Sequence, residues 1–147
     1  MTRHKISEAD FFLQQAKSAI DVHLIFSYYL SAFLSAARSI TFALNYEVGK
    51  DHEFKIWYSK KQDLTKNDAI FSFFNSLRAE TIRQEGKIKF RRKISLGVIE
   101  ADVKQPDRQI EMYFDDKQWT ERDGIEMCNE YFNKLSALVD SAEKLFG

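Results

Sequence analysis

Residues Asp68–Gly86 read DAIFSFFNSLRAETIRQEG, and the reading of this stretch decides the fold. The stretch is expected to form one helix. Asp68 stands where a helix N-cap belongs, with a carboxylate able to accept from the first free backbone N–H groups. Gly86 is placed as a left-handed stop. Ile70, Phe74, Leu77 and Thr81 recur at helical spacing, and Phe71, Phe73 and Ile82 widen the apolar stripe. Arg78 interrupts that aromatic surface between its i−4 and i+4 neighbours, Phe74 and Ile82. A guanidinium so flanked is at best partly solvated and needs a partner.

Outward from this helix, composition sets the limits. A chain of 147 residues makes one domain, 1–147, able to bury a core without staples. With 44% apolar residues, 13 Phe, five Gly and one Pro, long helices are favoured over many turns. Net charge is zero, so no global field points to nucleic acid or to a membrane. The charge is nonetheless uneven. Residues 78–93 carry seven Arg or Lys against two Glu, and residues 100–116 carry six acidic groups against two basic. The lone Cys128 excludes an internal disulfide and suits a reducing compartment. Glu8, Asp10 and Lys17 break any leader-like apolar run, and no stretch nears the ~20 apolar residues of a membrane span. The cytoplasm is the expected location.

N-terminal to the central stretch, Ser7 with Asp10 is expected to open the first helix as a capping-box variant. Apolar residues then recur at helical spacing to about Tyr46, in two stripes that meet at Asp21 and His23, where a break or kink is predicted. Ser27, Ser31, Ala32, Ser35, Ala36 and Ser39 give the second helix a small-residue face suited to close packing. His52–Gln62 forms a short amphipathic helix carrying Phe54, Trp57 and Tyr58. Asp123 and Glu126 start a last helix that runs to Phe146.

C-terminal to Gly86 the period changes from 3.6 to 2. Ile88, Phe90, Ile94, Leu96 and Val98 alternate with polar residues as in a half-buried strand. The phase shifts beside Gly97, where a bulge is expected. Gln105-Pro106-Asp107-Arg108 reads as the turn, and a two-residue loop would pair Val103 with Ile110, Ala101 with Met112 and Ile99 with Phe114. That register sets Asp102 opposite Glu111, a mildly unfavourable pair.

Little conventional chemistry is visible. His4, His23 and His52 are scattered, and neither a zinc-ligand pattern nor a glycine-rich phosphate loop occurs, so no metal or cofactor is expected. Lys87, Lys89, Arg91 and Lys93 with Phe90 form a basic, aromatic-interleaved run that can grip a phosphate backbone. Strand alternation explains the same residues as a solvated face, which is the commoner case. On the central helix, Arg78, Glu80, Arg83 and Glu85 can bind an anion or pair with one another and with a partner chain. A partly buried Arg78 is more often satisfied by a buried carboxylate or carbonyl than by a substrate. Its removal is then expected to cost roughly 2–4 kcal/mol.

Leu77–Gly86 resembles the signature of HEPN domains (higher eukaryotes and prokaryotes nucleotide-binding), in which an Arg stands five positions before a His. The order of a long small-residue helix, a short Trp57-Tyr58 helix, the motif helix and a last helix with Tyr131 is similar as well. The periodicities together predict a mainly α bundle of four to five helices with an inserted β-hairpin at about 87–115, and the resemblance implies that this helical domain is HEPN-like. It also implies a homodimer whose motif residues share a cleft, where many members cleave RNA without metal. Arg78 matches the motif Arg, while Ala79 and Arg83 occupy the positions of the polar residue and the His. Arginine stays protonated and cannot serve as a base.

Three functions are therefore expected, in this order: a catalytically inert, dimeric binding module for a protein or an anionic partner such as RNA; a diverged metal-independent ribonuclease or toxin-type enzyme using Arg78, with His23, His52 or Tyr58 replacing the motif His; and a structural subunit. The candidate site residues are Arg78, Arg83, Glu80, Lys87, Lys89 and Arg91. Phe71, Phe73 and Phe74 span too wide an arc for one neighbour, so one side should meet the hairpin or a second protomer.

Overall fold

The computed structural model describes residues 1–83, 88–96 and 108–147, with the side chains of 81–83, 95–96 and 108–109 outside that description. Its order is α1 (Thr2–Ser18), α2 (His23–Val48), α3 (His52–Lys66), α4 (Ala69–Arg83), β1 (Phe90–Leu96), β2 (Arg108–Phe114) and α5 (Gly124–Phe146). The protein is mainly helical with a small antiparallel hairpin. Among the described residues no helix is long and apolar enough to cross a membrane.

Local signals set most of the boundaries. Asp68 caps α4, its Oδ1 accepting from the N–H groups of Ile70 at 2.9 Å and Phe71 at 3.2 Å. Asp51 caps α3 through Phe54 N–H, and Asp123 caps α5 through Ile125 N–H. The predicted break falls between α1 and α2, where Ala19 to Val22 turn. α1 begins earlier than Ser7: Thr2 is already helical and buried, and its N–H donates to Glu47 of α2. Ser7 lies exposed within the helix and caps nothing. α3 runs past Gln62 to Lys66, because Asn67 provides its end. The expected stop at Gly86 lies outside the described residues.

One buried cluster draws on all five helices and β2. The α4 phenylalanines divide it. Phe73 packs on Phe114 and Trp119, Phe74 stacks on Tyr131 at 4.4 Å and meets Phe114 edge-on, and Phe71 meets Tyr131. All three rings thus find neighbours within the chain, the hairpin among them.

The hairpin register differs from the expected one. β2 pairs with Phe90–Leu96, setting Phe114 opposite Phe90, Ile110 opposite Ile94 and Glu111 opposite Lys93. The predicted partners Ile99, Ala101 and Val103, with the bulge at Gly97 and the turn at 105–107, lie outside the described residues, and Arg108 belongs to β2. The observed register sets Lys93 opposite Glu111 in place of the like-charge pair of the expected one, and the Glu111 carboxylate accepts from the Tyr113 hydroxyl. Met112 and Phe114 still face the core, where α5 begins so close that Gly124 would place an added Cβ 2.5 Å from Met112 Sδ.

Candidate anion-binding site

A pocket of about 310 Å³ opens where α2, α3, α4 and α5 converge. α2 contributes Arg38 and Thr41; α3 contributes Tyr58, Lys61, Gln62, Thr65 and Lys66; α4 contributes Phe71 and Asn75; Tyr131 and two leucines come from α5. Helical spacing puts these groups in place. Tyr58, Lys61, Gln62 and Thr65 follow the i, i+3, i+4, i+7 rule on α3, and Phe71 and Asn75 are one turn apart on α4. The wall therefore holds three cations, several hydroxyl and amide groups and three aromatic rings, with no carboxylate among the lining residues.

Among the described residues, none of the ion pairs includes Arg38, Lys61, Lys66 or Arg78. Arg38 donates to the neutral Asn75 Oδ1 at 3.2 Å and lies over the Phe42 ring. Lys61 Nζ stands 5.6 Å from the Trp57 ring centroid. Tyr131 closes the floor. Burial pushes its phenol up to about 12, against the opposing pull of the Arg38 and Arg78 charges. It stays protonated at neutral pH and can donate to an anion. At the rim of an adjoining pocket, Lys134 pairs with Asp68 at 2.6 Å and is thereby occupied.

The sequence-predicted residues fall in different places. Arg78 is half-buried one turn beyond Asn75 on the same face of α4, near enough to Tyr131 to bias its phenol. Its Nη1 is buried with no hydrogen-bond partner, so the expected buried acceptor is not found there among the described residues. Glu80 is exposed, Arg83 ends α4 with its side chain outside the description, and Lys87 lies outside the described residues altogether. Lys89 and Arg91 are exposed on the hairpin; Arg91 covers the Tyr113 ring and donates to the Thr120 carbonyl. Lys89 and Arg91 are not among the residues that line the pocket.

The histidines are no closer to a shared chemistry. His23 stacks on Phe90, His4 lies 3.8 Å from Glu8, and His52 is exposed at the start of α3. Among the described residues no cluster of three or more His, Cys, Asp or Glu side chains stands ready for a metal. Burial raises the Cys128 thiol well above its usual range, which keeps it an unreactive core residue.

Arg38, Lys61, Lys66 and Asn75 are the residues that sequence reasoning missed. One signal was present: Arg38 is the lone Arg or Lys between His23 and Val48, set in an aromatic and small-residue helix as Arg78 is in α4. For Lys61 and Lys66 nothing in the local pattern separates a pocket wall from a solvated face. No family model matches the chain, and no curated protein or solved structure does either.

Proposed function

We propose that this protein is a catalytically inert, HEPN-like binding module that holds a phosphate-bearing partner, single-stranded RNA in particular, in the pocket between α2 and α5. The observation that carries this reading is the wall of Arg38, Lys61 and Lys66, three like charges gathered at one concavity with no carboxylate among its described lining residues, the neighbouring Asp68 being paired with Lys134. Such a grouping costs self-repulsion unless an anion occupies it. Phe71 and Tyr58 supply ring surfaces beside the cations, the combination that stacks bases while gripping phosphates. Arg78, whose charge reaches the lining residue Tyr131, adds positive potential of the same sign.

The chemistry at the motif position supports an inert reading. The position of the motif His is Arg83, which stays protonated, and the phenol of Tyr131 is held protonated as well. Neither group takes a 2′-hydroxyl proton at neutral pH. The outer apolar face of α2 supports a homodimer, and the single buried cysteine suits the cytoplasm.

Fluorescence anisotropy with a 5′-phosphorylated RNA oligonucleotide tests the reading. Binding should weaken as salt rises and fall about 10- to 150-fold in Lys61→Ala, the equivalent of roughly 1.5–3 kcal/mol for a charge-assisted contact. Arg38→Ala should act alike, and the RNA should be recovered uncut. Affinity indifferent to both substitutions would refute the site. Cleavage of the oligonucleotide that Arg78→Ala abolishes would favour the diverged-ribonuclease alternative.

A further inference from the structure

The core face of α2 is made by Phe26, Leu30, Phe33, Ala37, Ile40 and Leu44. Opposite it runs a second apolar line. Leu24, Tyr28, Phe42 and Tyr46 are 58%, 64%, 62% and 76% exposed, a large outlay of apolar surface for one helix. At about 100° per residue these four side chains and Ser35 fall within an arc of about 40°. We propose that two copies of this chain pair through this face, with their α2 helices antiparallel about a twofold axis at Ser35. The pairing rests on the homodimer reading above and specifies its surface.

Three features point to a second copy as the occupant. The first is symmetry. Tyr28 and Phe42 each lie seven residues from Ser35, and Leu24 and Tyr46 each lie eleven. An antiparallel partner centred on Ser35 therefore sets Tyr28 against the partner's Phe42 and Leu24 against the partner's Tyr46, and repeats both contacts on the other side. A twofold interface requires this self-complementarity, and an unlike partner does not.

The second is shape. Around the axis the face carries Ser31, Ser35 and Ser39, so the backbones can approach closely there. Two crossing helices diverge away from the contact point, and the large rings sit where the gap widens.

The third is area. At roughly 200 Å² for a large side chain, the four exposed residues offer on the order of 500 Å² per protomer, or about 1,000 Å² in total before the smaller residues are added. That reaches the range of a specific interface. The face also avoids charge conflict. Its only ionised group is Arg38 at one edge, its guanidinium 5.2 Å from the Phe42 ring centroid, and the pairing sets it beside the partner's Ala32 rather than beside its own copy.

Ser35 is exposed and meets itself across the axis, which makes it the position to test. Light scattering at tens of micromolar should give twice the 17.3 kDa chain mass for the wild type. Ser35→Glu should give the monomer mass with an unchanged helical circular-dichroism spectrum. At an interaxial distance of about 9–10 Å the two axis Cα atoms come to roughly 4.4–5.4 Å, within disulfide reach. Ser35→Cys should therefore form a covalent dimer under mild oxidation, while Ser59→Cys, on an exposed α3 position, should not; the buried Cys128 does not compete. A monomeric wild type overturns the homodimer and this surface together. A wild-type dimer that survives Ser35→Glu, with no cross-link through Ser35→Cys, keeps the homodimer and overturns the α2 face.

Discussion

Arg78→Met is expected to stabilise the protein. The Arg78 side chain is half-buried in the turn after Asn75, and its Nη1 is enclosed without a hydrogen-bond partner among the described residues. A buried donor left unmade costs about 1–3 kcal/mol. Only one nitrogen of a half-exposed group is concerned, so the lower half of that range applies. The protonated Tyr131 phenol, which feels both the Arg78 and the Arg38 charge, offers no counter-charge. Methionine keeps an unbranched apolar stem against the neighbouring aromatic rings and removes the orphaned donor. A gain of about 1–2 kcal/mol should raise the melting temperature by about 3–6 °C in a chain of this size. The same substitution should weaken RNA binding, because positive potential behind the pocket is lost. Thermal denaturation followed by circular dichroism, with anisotropy titrations on the same samples, measures both. A melting temperature lowered by 5 °C or more would refute the reasoning, since only a partnered guanidinium stabilises to that degree.

Two further outcomes follow from other parts of the fold. Burial alone would raise the Asp68 carboxyl, but Lys134 and the N–H groups of Phe71 and Ile70 outweigh it and hold the group below its usual value. A depressed carboxyl stabilises the fold above its unfolded pKa of about 3.9, and that contribution is lost as pH falls through the lower folded value. Melting curves from pH 6 down to pH 3 should therefore show a smaller acid-side loss in Asp68→Asn, whose curve starts lower; equal slopes would count against the Lys134 pair. At the α5–β2 junction, Gly124→Ala brings a Cβ to 2.5 Å of Met112 Sδ and 3.0 Å of Phe114, both fully enclosed. It should cost about 1–3 kcal/mol by urea titration, and an unchanged midpoint would show that Met112 has room to swing aside.

What the sequence determined by itself was local. The Asp68 cap, the break between Ser18 and His23, the start of α5 at Asp123 and the change of period into a hairpin all rest on hydrogen bonds or spacings within a few residues. Such features are set before the chain meets itself. The hairpin register was not, because pairing Lys93 with Glu111 and turning Met112 and Phe114 onto α5 depend on contacts distant in sequence. The pocket is of the same kind. Arg38, Lys61, Asn75 and Tyr131 come from four helices, and no spacing in the chain foretells their meeting. Arg78 shows the division within a single residue. Its place on an aromatic face of α4 was legible from i±4 neighbours, but whether its guanidinium finds a partner depends on what the other helices bring to it. For Nη1 the described residues bring none, a fact that rests on tertiary contacts and not on the local pattern.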